Sequence, residues 1–384
     1  MIKAWDFEFN VVPGMDLPDY ENPDVVQRAF DTNLDTMASL EARGFEGVFF
    51  SEHHFLNSMS PVPNLLIAAL AARTRTLKLG VMGNVLAFHQ PWRLAEELHM
   101  LDYLTRGRLE IGIASGVPPE FMFVGIQQPD VRPMYAEVRE FIELAAKDKF
   151  VTFKGKYFSY EGVPVMPRPR KETRRRHWVT VYSEASCRDA AQWGYKVCTG
   201  YQSCENSARA FDGYRDEASN RGFAVTADDI GLRRQVLIAK TDAEAAELNA
   251  QLQAAAKARM AHVFKLVDER LEKAGLNPAV SVKESGVMDA DSVMREKIAE
   301  IGVKKINPGL VIAPDEFIFG APDSVAEQII EQCRRTGAGN IMAYITPSMS
   351  EDQIAVNYAL WEKVTPILKR AEVGGGEKRL AQAG

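Results

Sequence analysis

The chain has 384 residues, 46% apolar and 26% charged, with a formal net charge of −6. That is the balance of a globular protein with a sizeable core, and the acidic surplus argues against nucleic acid and anionic membrane surfaces as partners. The four cysteines (Cys187, Cys198, Cys204, Cys333) form no Cys-x-x-Cys pair and read as reduced thiols of a cytoplasmic protein; no signal peptide is read at the start, and no apolar run approaches the roughly 20 residues a membrane span needs.

In chain order, strand-like segments fall at 4–9, 47–50, 77–82, 109–113, 178–181, 196–198, 235–239 and 340–345. Most are short, apolar and bounded by Gly or polar residues, as strands buried on both faces should be. Helical patterns lie between them. Val26, Phe30, Met37 and Leu40 recur at helical spacing before Gly44; residues 61–73 are Ala/Leu-rich; Pro91 opens a helix that runs to Arg106-Gly107; Ile354, Tyr358, Trp361 and Leu368 mark the last helix. Eight such units predict an α/β fold of the (β/α)8 TIM-barrel type, with insertions on its C-terminal face. A doubly wound sheet is the alternative; it usually carries a Gly-rich first turn, which is lacking here. The barrel domain is expected to span 1–372, with insertions at about 150–176 and 242–320. The first is polar and holds six basic residues between Arg168 and Arg176, suiting a solvated loop or anion steering. The second begins Ala-rich and helical, and its middle, 275–287, reads as a mobile lid; the tail, 373–384, is expected to be disordered.

Candidate chemistry clusters where strands end. After 47–50 comes Ser51-Glu52-His53-His54-Phe55. Neighbouring side chains on an extended segment diverge, so two adjacent imidazoles suit a shared metal poorly. One can instead face the barrel mouth as a general base or donor while the other packs. A satisfied structural histidine is the alternative for either. After the third strand, Met82, Gly83 and Asn84 combine a glycine with a polar residue, which would let a flat ligand approach the backbone; an ordinary turn reads equally well. After the fourth, Ala114-Ser115-Gly116 is a weaker signal of the same kind. After the fifth, Tyr182-Ser183-Glu184-Ala185-Ser186 can either cap the next helix or hold a phosphate at its N-terminus. Trp5, Phe7, Phe9, Phe55, Met59, Phe88, Phe121, Met122 and Phe123 could line an apolar pocket or fill the core. No Rossmann, P-loop or nucleophile-elbow motif occurs.

Together these segments resemble the bacterial luciferase family of flavin-dependent monooxygenases. The likeness runs from Gly44-Phe45 and 48–55 through Leu79-Gly80, Val85-Leu86, Pro91, Ala95-Glu96, Leu101-Asp102, 106–108, 112–116 and 183–186 to Gly320-Ala321-Pro322, and covers about residues 1 to 370. The resemblance implies a barrel that binds reduced FMN at its mouth, activates O2 as a C4a-peroxyflavin and oxidises a small organic substrate. A separate flavin reductase would supply the reduced flavin as a transient partner, and the protein would be a homodimer. Carried over by position, His53 is the active-site histidine and Glu52 the carboxylate beside the flavin. Met82–Gly83 is a non-prolyl cis peptide against the ring, with Asn84 next to it. Ser183 and Ser186, with Tyr182 alongside, hold the phosphate. Ser115 stands where the family's luciferase subunits carry a phosphate-binding arginine, so another arginine, such as one from the basic excursion, is needed to compensate. Alternatives are an F420-dependent dehydrogenase of the same superfamily, a metal-dependent hydrolase using Glu52, His53 and His54, and a non-catalytic flavin-binding barrel.

Overall fold

A computed structural model describes residues 1–8, 22–55, 60–170, 177–273, 275, 313–345 and 349–373. In chain order the elements are β1 (Lys3–Glu8), α1 (Pro23–Ser39), β2 (Gly47–Phe50), α2 (Pro63–Arg73), β3 (Lys78–Val85), α3 (Pro91–Leu104) and β4 (Leu109–Ala114). There follow α4 (Pro118–Phe123), α5 (Gln128–Lys147), β5 (Phe150–Lys154), β6 (Ser159–Pro164), β7 (His177–Thr180), α6 (Glu184–Trp193), β8 (Lys196–Thr199) and α7 (Cys204–Asn220). The chain continues through β9 (Ile230–Ile238), α8 (Asp242–Lys273), β10 (Phe317–Gly320), α9 (Pro322–Thr336), β11 (Asn340–Tyr344) and α10 (Glu351–Arg370). Proline opens α1, α2, α3 and α9, where its missing N–H costs nothing. Gly194 and Gly337 end α6 and α9 in the left-handed conformation.

The eight expected strands pair in parallel in the order β1-β2-β3-β4-β7-β8-β9-β11, and β11 closes on β1. This is the (β/α)8 barrel, and its C-terminal face is where the βα loops gather. Alternation sends one side-chain set outward under the helices and the other into the barrel. The inward set includes Trp5, Phe7, Phe49, Met82, Trp178, Cys198 and Met342. Trp5 stacks on Phe49 at 4.9 Å between centroids, and Trp178 meets both rings edge-on. The two indole N–H groups inside the barrel are satisfied: Trp5 donates to Asn340 Oδ1 (2.9 Å) and Trp178 to Glu110 Oε2 (2.7 Å). The barrel is therefore plugged. Trp5 and Phe7 fill it, the second of the uses considered for them, while Phe9 and Met59 lie outside the described residues.

Three departures from the sequence reading have physical causes. The seventh barrel strand runs Ile230–Ile238 rather than 235–239; two arginines at its centre disguise its first half. A further strand, β10, pairs in parallel with β9 beyond the end of β8. The segment expected as a solvated loop contains the antiparallel hairpin β5–β6, fastened along α5: Glu137 accepts from the amides of Lys156, Tyr157 and Phe158, and Phe153 packs on Phe141. Because that insertion follows α5 and precedes β7, it is entered from the N-terminal face of the barrel. Its two described arginines are used there. Arg168 caps the end of α5 through the carbonyls of Ala145, Ala146 and Asp148, and Arg170 lies over the Tyr103 ring, so neither compensates at Ser115. Residues 171–176 lie outside the described set, as do the expected lid centre beyond Gly275 and the tail from 374. The start of the second insertion is anchored at the C-terminal face: Asp242 accepts from the Ala321 amide and the Ser324 hydroxyl, and Leu248 and Leu252 pack near Leu237.

Candidate active site

The β2 strand Gly-Val-Phe-Phe is wholly buried and delivers Ser51 and Glu52 to the barrel mouth. The Ser51 amide donates to Glu8 O, the His53 amide donates to Ser60 O, and the Ser60 hydroxyl bonds Ser51 O. This folds the 51–55 segment back against the start of α2. The Glu52 carboxylate is buried and shared. Its Oε1 accepts from His54 Nε2 (3.0 Å) and His89 Nε2 (3.1 Å), and its Oε2 accepts from the Val85 amide (2.9 Å) and His89. Burial pushes this carboxyl up, but the bonds from His54 and His89, the His89 charge and the Val85 amide outweigh it and hold Glu52 below the ordinary value. Burial lowers His89, while the bond and charge of Glu52 outweigh that and raise it above the ordinary value. Glu52 thus ties the end of β2 to the end of β3.

His53 takes a different partner. Its Nδ1 donates to Glu120 Oε1 at 2.8 Å, and Glu120, on α4, is fully buried. In a neutral imidazole this bond fixes the proton on Nδ1 and leaves Nε2 as the acceptor. The two adjacent histidines therefore serve two separate carboxylates. Among the described residues no group of three or more His, Cys, Asp or Glu is arranged to hold a metal ion. Aromatic rings surround the pair: His54 meets Phe88 edge-on at 5.0 Å, Phe55 meets Phe123 at 5.5 Å, and Phe88 meets Phe121 at 4.9 Å. His89 and Glu120 escaped the sequence reading. The one signal for each was its place just past a strand end, His89 after β3 and Glu120 after β4.

The Met82–Gly83 peptide bond is cis, as the resemblance implied. The glycine itself is required by the neighbouring strand, since a Cβ there would lie 2.5–2.8 Å from the backbone of Ile113. Met82 belongs to the barrel plug. Asn84 has both ends of its side chain engaged: Oδ1 accepts from Asn64 (3.0 Å) and Nδ2 donates to Gly112 O (2.9 Å). It is a buried latch between α2 and β4, a use the sequence did not suggest. Ser115 is half-buried just past β4. Ser183 caps α6: its hydroxyl accepts from the Ser186 amide (3.2 Å), and the Ser186 hydroxyl accepts from the Ser183 amide (3.1 Å). Both hydroxyls lie at an exposed helix start at the C-terminal face, and Tyr182, half-buried, precedes them. The capping role is realised, and the free end of the helix dipole faces outward with it.

A second charged group stands at β9. Arg233 donates to Glu316 Oε1, Arg234 Nη1 lies 3.3 Å from Glu316 Oε2, and the same Oε2 accepts from the Tyr201 amide at 2.7 Å. Arg234 also donates to Gln332 Oε1 (2.7 Å) and to the Arg233 carbonyl. The signal for this group in the sequence is a pair of arginines inside an otherwise largely apolar strand, a pattern that reads as a strand boundary rather than as a site.

The profile described as luciferase-like monooxygenase matches residues 14–339 of this chain. A 4-hydroxyprotoasukamycin monooxygenase from Streptomyces nodosus subsp. asukaensis is 32% identical over 142 residues, 36% of this chain and 38% of that protein. An F420-dependent glucose-6-phosphate dehydrogenase from Microbacterium testaceum is 27% identical over 178 residues, 44% of this chain and 51% of that protein. Over the first three curated relatives the match spans 38–64% of their lengths. Among solved structures, the oxygenating constituent of 3,6-diketocamphane monooxygenase from Pseudomonas putida, a type II Baeyer–Villiger monooxygenase in complex with FMN, superposes with a TM-score of 0.71. It is 19% identical, covering 97% of this chain and 99% of that one, and shares the barrel fold. No helix among the described residues is long and apolar enough to cross a membrane.

Proposed function

The chain belongs to the luciferase-like monooxygenase family, and from that premise we propose that it is the oxygenase of a two-component flavin-dependent monooxygenase. In this reading it works in the cytoplasm as a homodimer, takes reduced FMN from a separate flavin reductase, and uses O2 to oxidise a small organic substrate. The observation that carries the reading is His53, held through Nδ1 by the fully buried Glu120 at the mouth of the barrel. When bound, reduced FMN supplies the electrons that activate O2.

The residues present suit that cofactor. The Met82–Gly83 backbone, packed against Ile113 and with Asn84 locked beside it, lies at the end of β3, where a flat ring could rest on it. The exposed start of α6, with the hydroxyls of Ser183 and Ser186 beside Tyr182 and with Ser115 past the end of the neighbouring strand β4, suits a phosphate dianion. Around these groups the chain supplies positioning. Glu52 fixes His54 and His89, and those rings together with Phe88 and Phe121 exclude water. At His53, Nε2 is the atom that holds or passes a proton, since Nδ1 is committed to Glu120.

The test is to mix the protein with photoreduced FMN and oxygen and to follow the flavin spectrum. The protein is expected to slow reoxidation relative to buffer. His53→Ala, with an unchanged circular dichroism spectrum, is expected to lose that effect and to lower turnover by roughly 10²–10⁴-fold. Reoxidation as fast as in buffer overturns the reading, as does turnover indifferent to His53. The rival is an F420-dependent dehydrogenase, the class of one relative. Competition between FMN and F420 for the apoprotein separates the two, and preference for F420 favours the rival.

A further inference from the structure

β3 and β9 are the third and seventh of eight barrel strands, four steps apart in either direction, so they face each other across the mouth. On β9, Gly231 looks inward, since a Cβ there would lie 2.8 Å from Met342 Cε and 3.4 Å from the Trp178 ring. Arg233, two residues further toward the C-terminal end, therefore also points inward, beyond the plug. Its neighbour strand has already ended: Thr199, the last residue of β8, pairs with Leu232. The guanidinium carbon lies 3.8 Å from the centroid of Tyr201, 5.6 Å from Tyr344 and 5.9 Å from Phe7.

This side chain is only 7% exposed, and Nη1, with two N–H groups, has no hydrogen-bond partner among the described residues. Buried donors in native proteins are nearly always paired, and a charged one left bare is costly. The charge is also incompletely matched. Glu316, the one carboxylate bonded to Arg233 among the described residues, is shared with Arg234, which has Gln332 and a carbonyl as well. Burial works against the charge on Arg233, while Glu316 and the Tyr201, Tyr182 and Tyr344 hydroxyls hold its pKa above the ordinary value.

The local backbone is built to keep the guanidinium there. Tyr201 has φ +62°, the left-handed region that residues with a Cβ seldom adopt, and Glu316 holds its amide. At Gly200 a Cβ would lie 2.6 Å from Arg233 Nε, so only glycine admits the side chain. Three neighbouring residues thus hold a half-satisfied cation over an aromatic floor, facing the proposed flavin side.

We propose that Arg233 is the substrate-recognition residue of this enzyme and that its substrate is an organic carboxylate, whose anionic oxygens take the Nη1 donors while its carbon skeleton lies on Tyr201, Tyr344 and Phe7. The oxidation of that ligand rests on the monooxygenase reading; its binding does not.

The experiment titrates the whole protein with a panel of aromatic and aliphatic carboxylates, each beside its carboxamide, by ligand-observed NMR, and measures FMN affinity separately. At least one carboxylate is expected to bind about 10- to 100-fold more tightly than its amide, the ratio of a charged hydrogen bond. Arg233→Lys, which keeps the charge but loses the fork, should reduce that preference, and Arg233→Gln, which leaves Glu316 paired with Arg234, should abolish it with FMN affinity unchanged. The proposal is overturned if no carboxylate outbinds its amide, if the folded variants keep the preference, or if they lose FMN instead. Carboxylate binding by a wild-type protein that takes up no FMN supports it while sinking the monooxygenase reading.

Discussion

At the ends of β2, β3 and β4, three imidazoles surround two buried carboxylates, whereas at β9 two guanidiniums share one. The first group can change its charge near neutral pH and the second cannot. When a partner is lost, an imidazole can shed its proton and remain buried as a neutral ring, while an arginine has no such escape. The two halves of the mouth should therefore fail differently: the β9 half abruptly, the β2–β4 half by degrees and with pH.

The sharpest way to break this contrast is Glu316→Ala. It leaves two buried guanidiniums without their carboxylate, and removing one partner of a buried pair costs about 3–5 kcal/mol. Urea unfolding should register that loss. A loss below about 1 kcal/mol, the range of a solvent-exposed pair, would mean that the cations are solvated and that the two halves do not differ.

Glu52→Gln should cost less, about 1.5–3 kcal/mol, the value of hydrogen bonds to a charged group, because His89, raised by Glu52, can become neutral. The amide also turns a donor toward groups that donate. In the wild-type protein this half should carry a pH signature. His89 is raised in the folded state, so its contribution is complete below the ordinary 6.5 and is lost as pH rises through the raised value. Glu52 is lowered, so its contribution is present above the ordinary 4.5 and is lost as pH falls through the lowered value. Melting temperature measured across pH should be highest between those limits, and Glu52→Gln should flatten the fall on the alkaline side. An unchanged alkaline slope in the variant would locate the titrating group elsewhere.

What the sequence disclosed follows the same division. Short apolar strands between amphipathic helices are a local pattern, so all eight barrel strands were legible, and so was the strand-end position of Glu52 and His53. Partners are not local. Glu120 lies 67 residues from His53, and Glu316 lies 83 from Arg233; nothing in either stretch of chain announces the other. Polar residues at strand ends carry two readings. Asn84 latches α2 to β4, and an amide that bonds a flavin and one that bonds a neighbouring strand look alike in sequence. Arg233 is hidden for a different reason: charge inside a strand argues against burial unless the fold supplies a partner, and that partner sits on a distant segment.

The smallest expected effect tests what joins the halves. Ser183 lies at the end of β7, the fifth barrel strand, between the third and the seventh. As a cap alone it is worth about 1 kcal/mol to α6, and Ser183→Ala would lower stability by that much without touching ligand affinity. If its hydroxyl also holds the FMN phosphate, the same variant should weaken FMN binding by about 10-fold or more, since a bond to a charged group is lost. We expect both losses together, read by thermal unfolding and by fluorescence titration with FMN. The arrangement favours this outcome because Ser186 already bonds the Ser183 amide and can keep the helix start intact while the phosphate contact is removed. Lower stability with FMN affinity unchanged would confine Ser183 to capping and move the phosphate site away from α6.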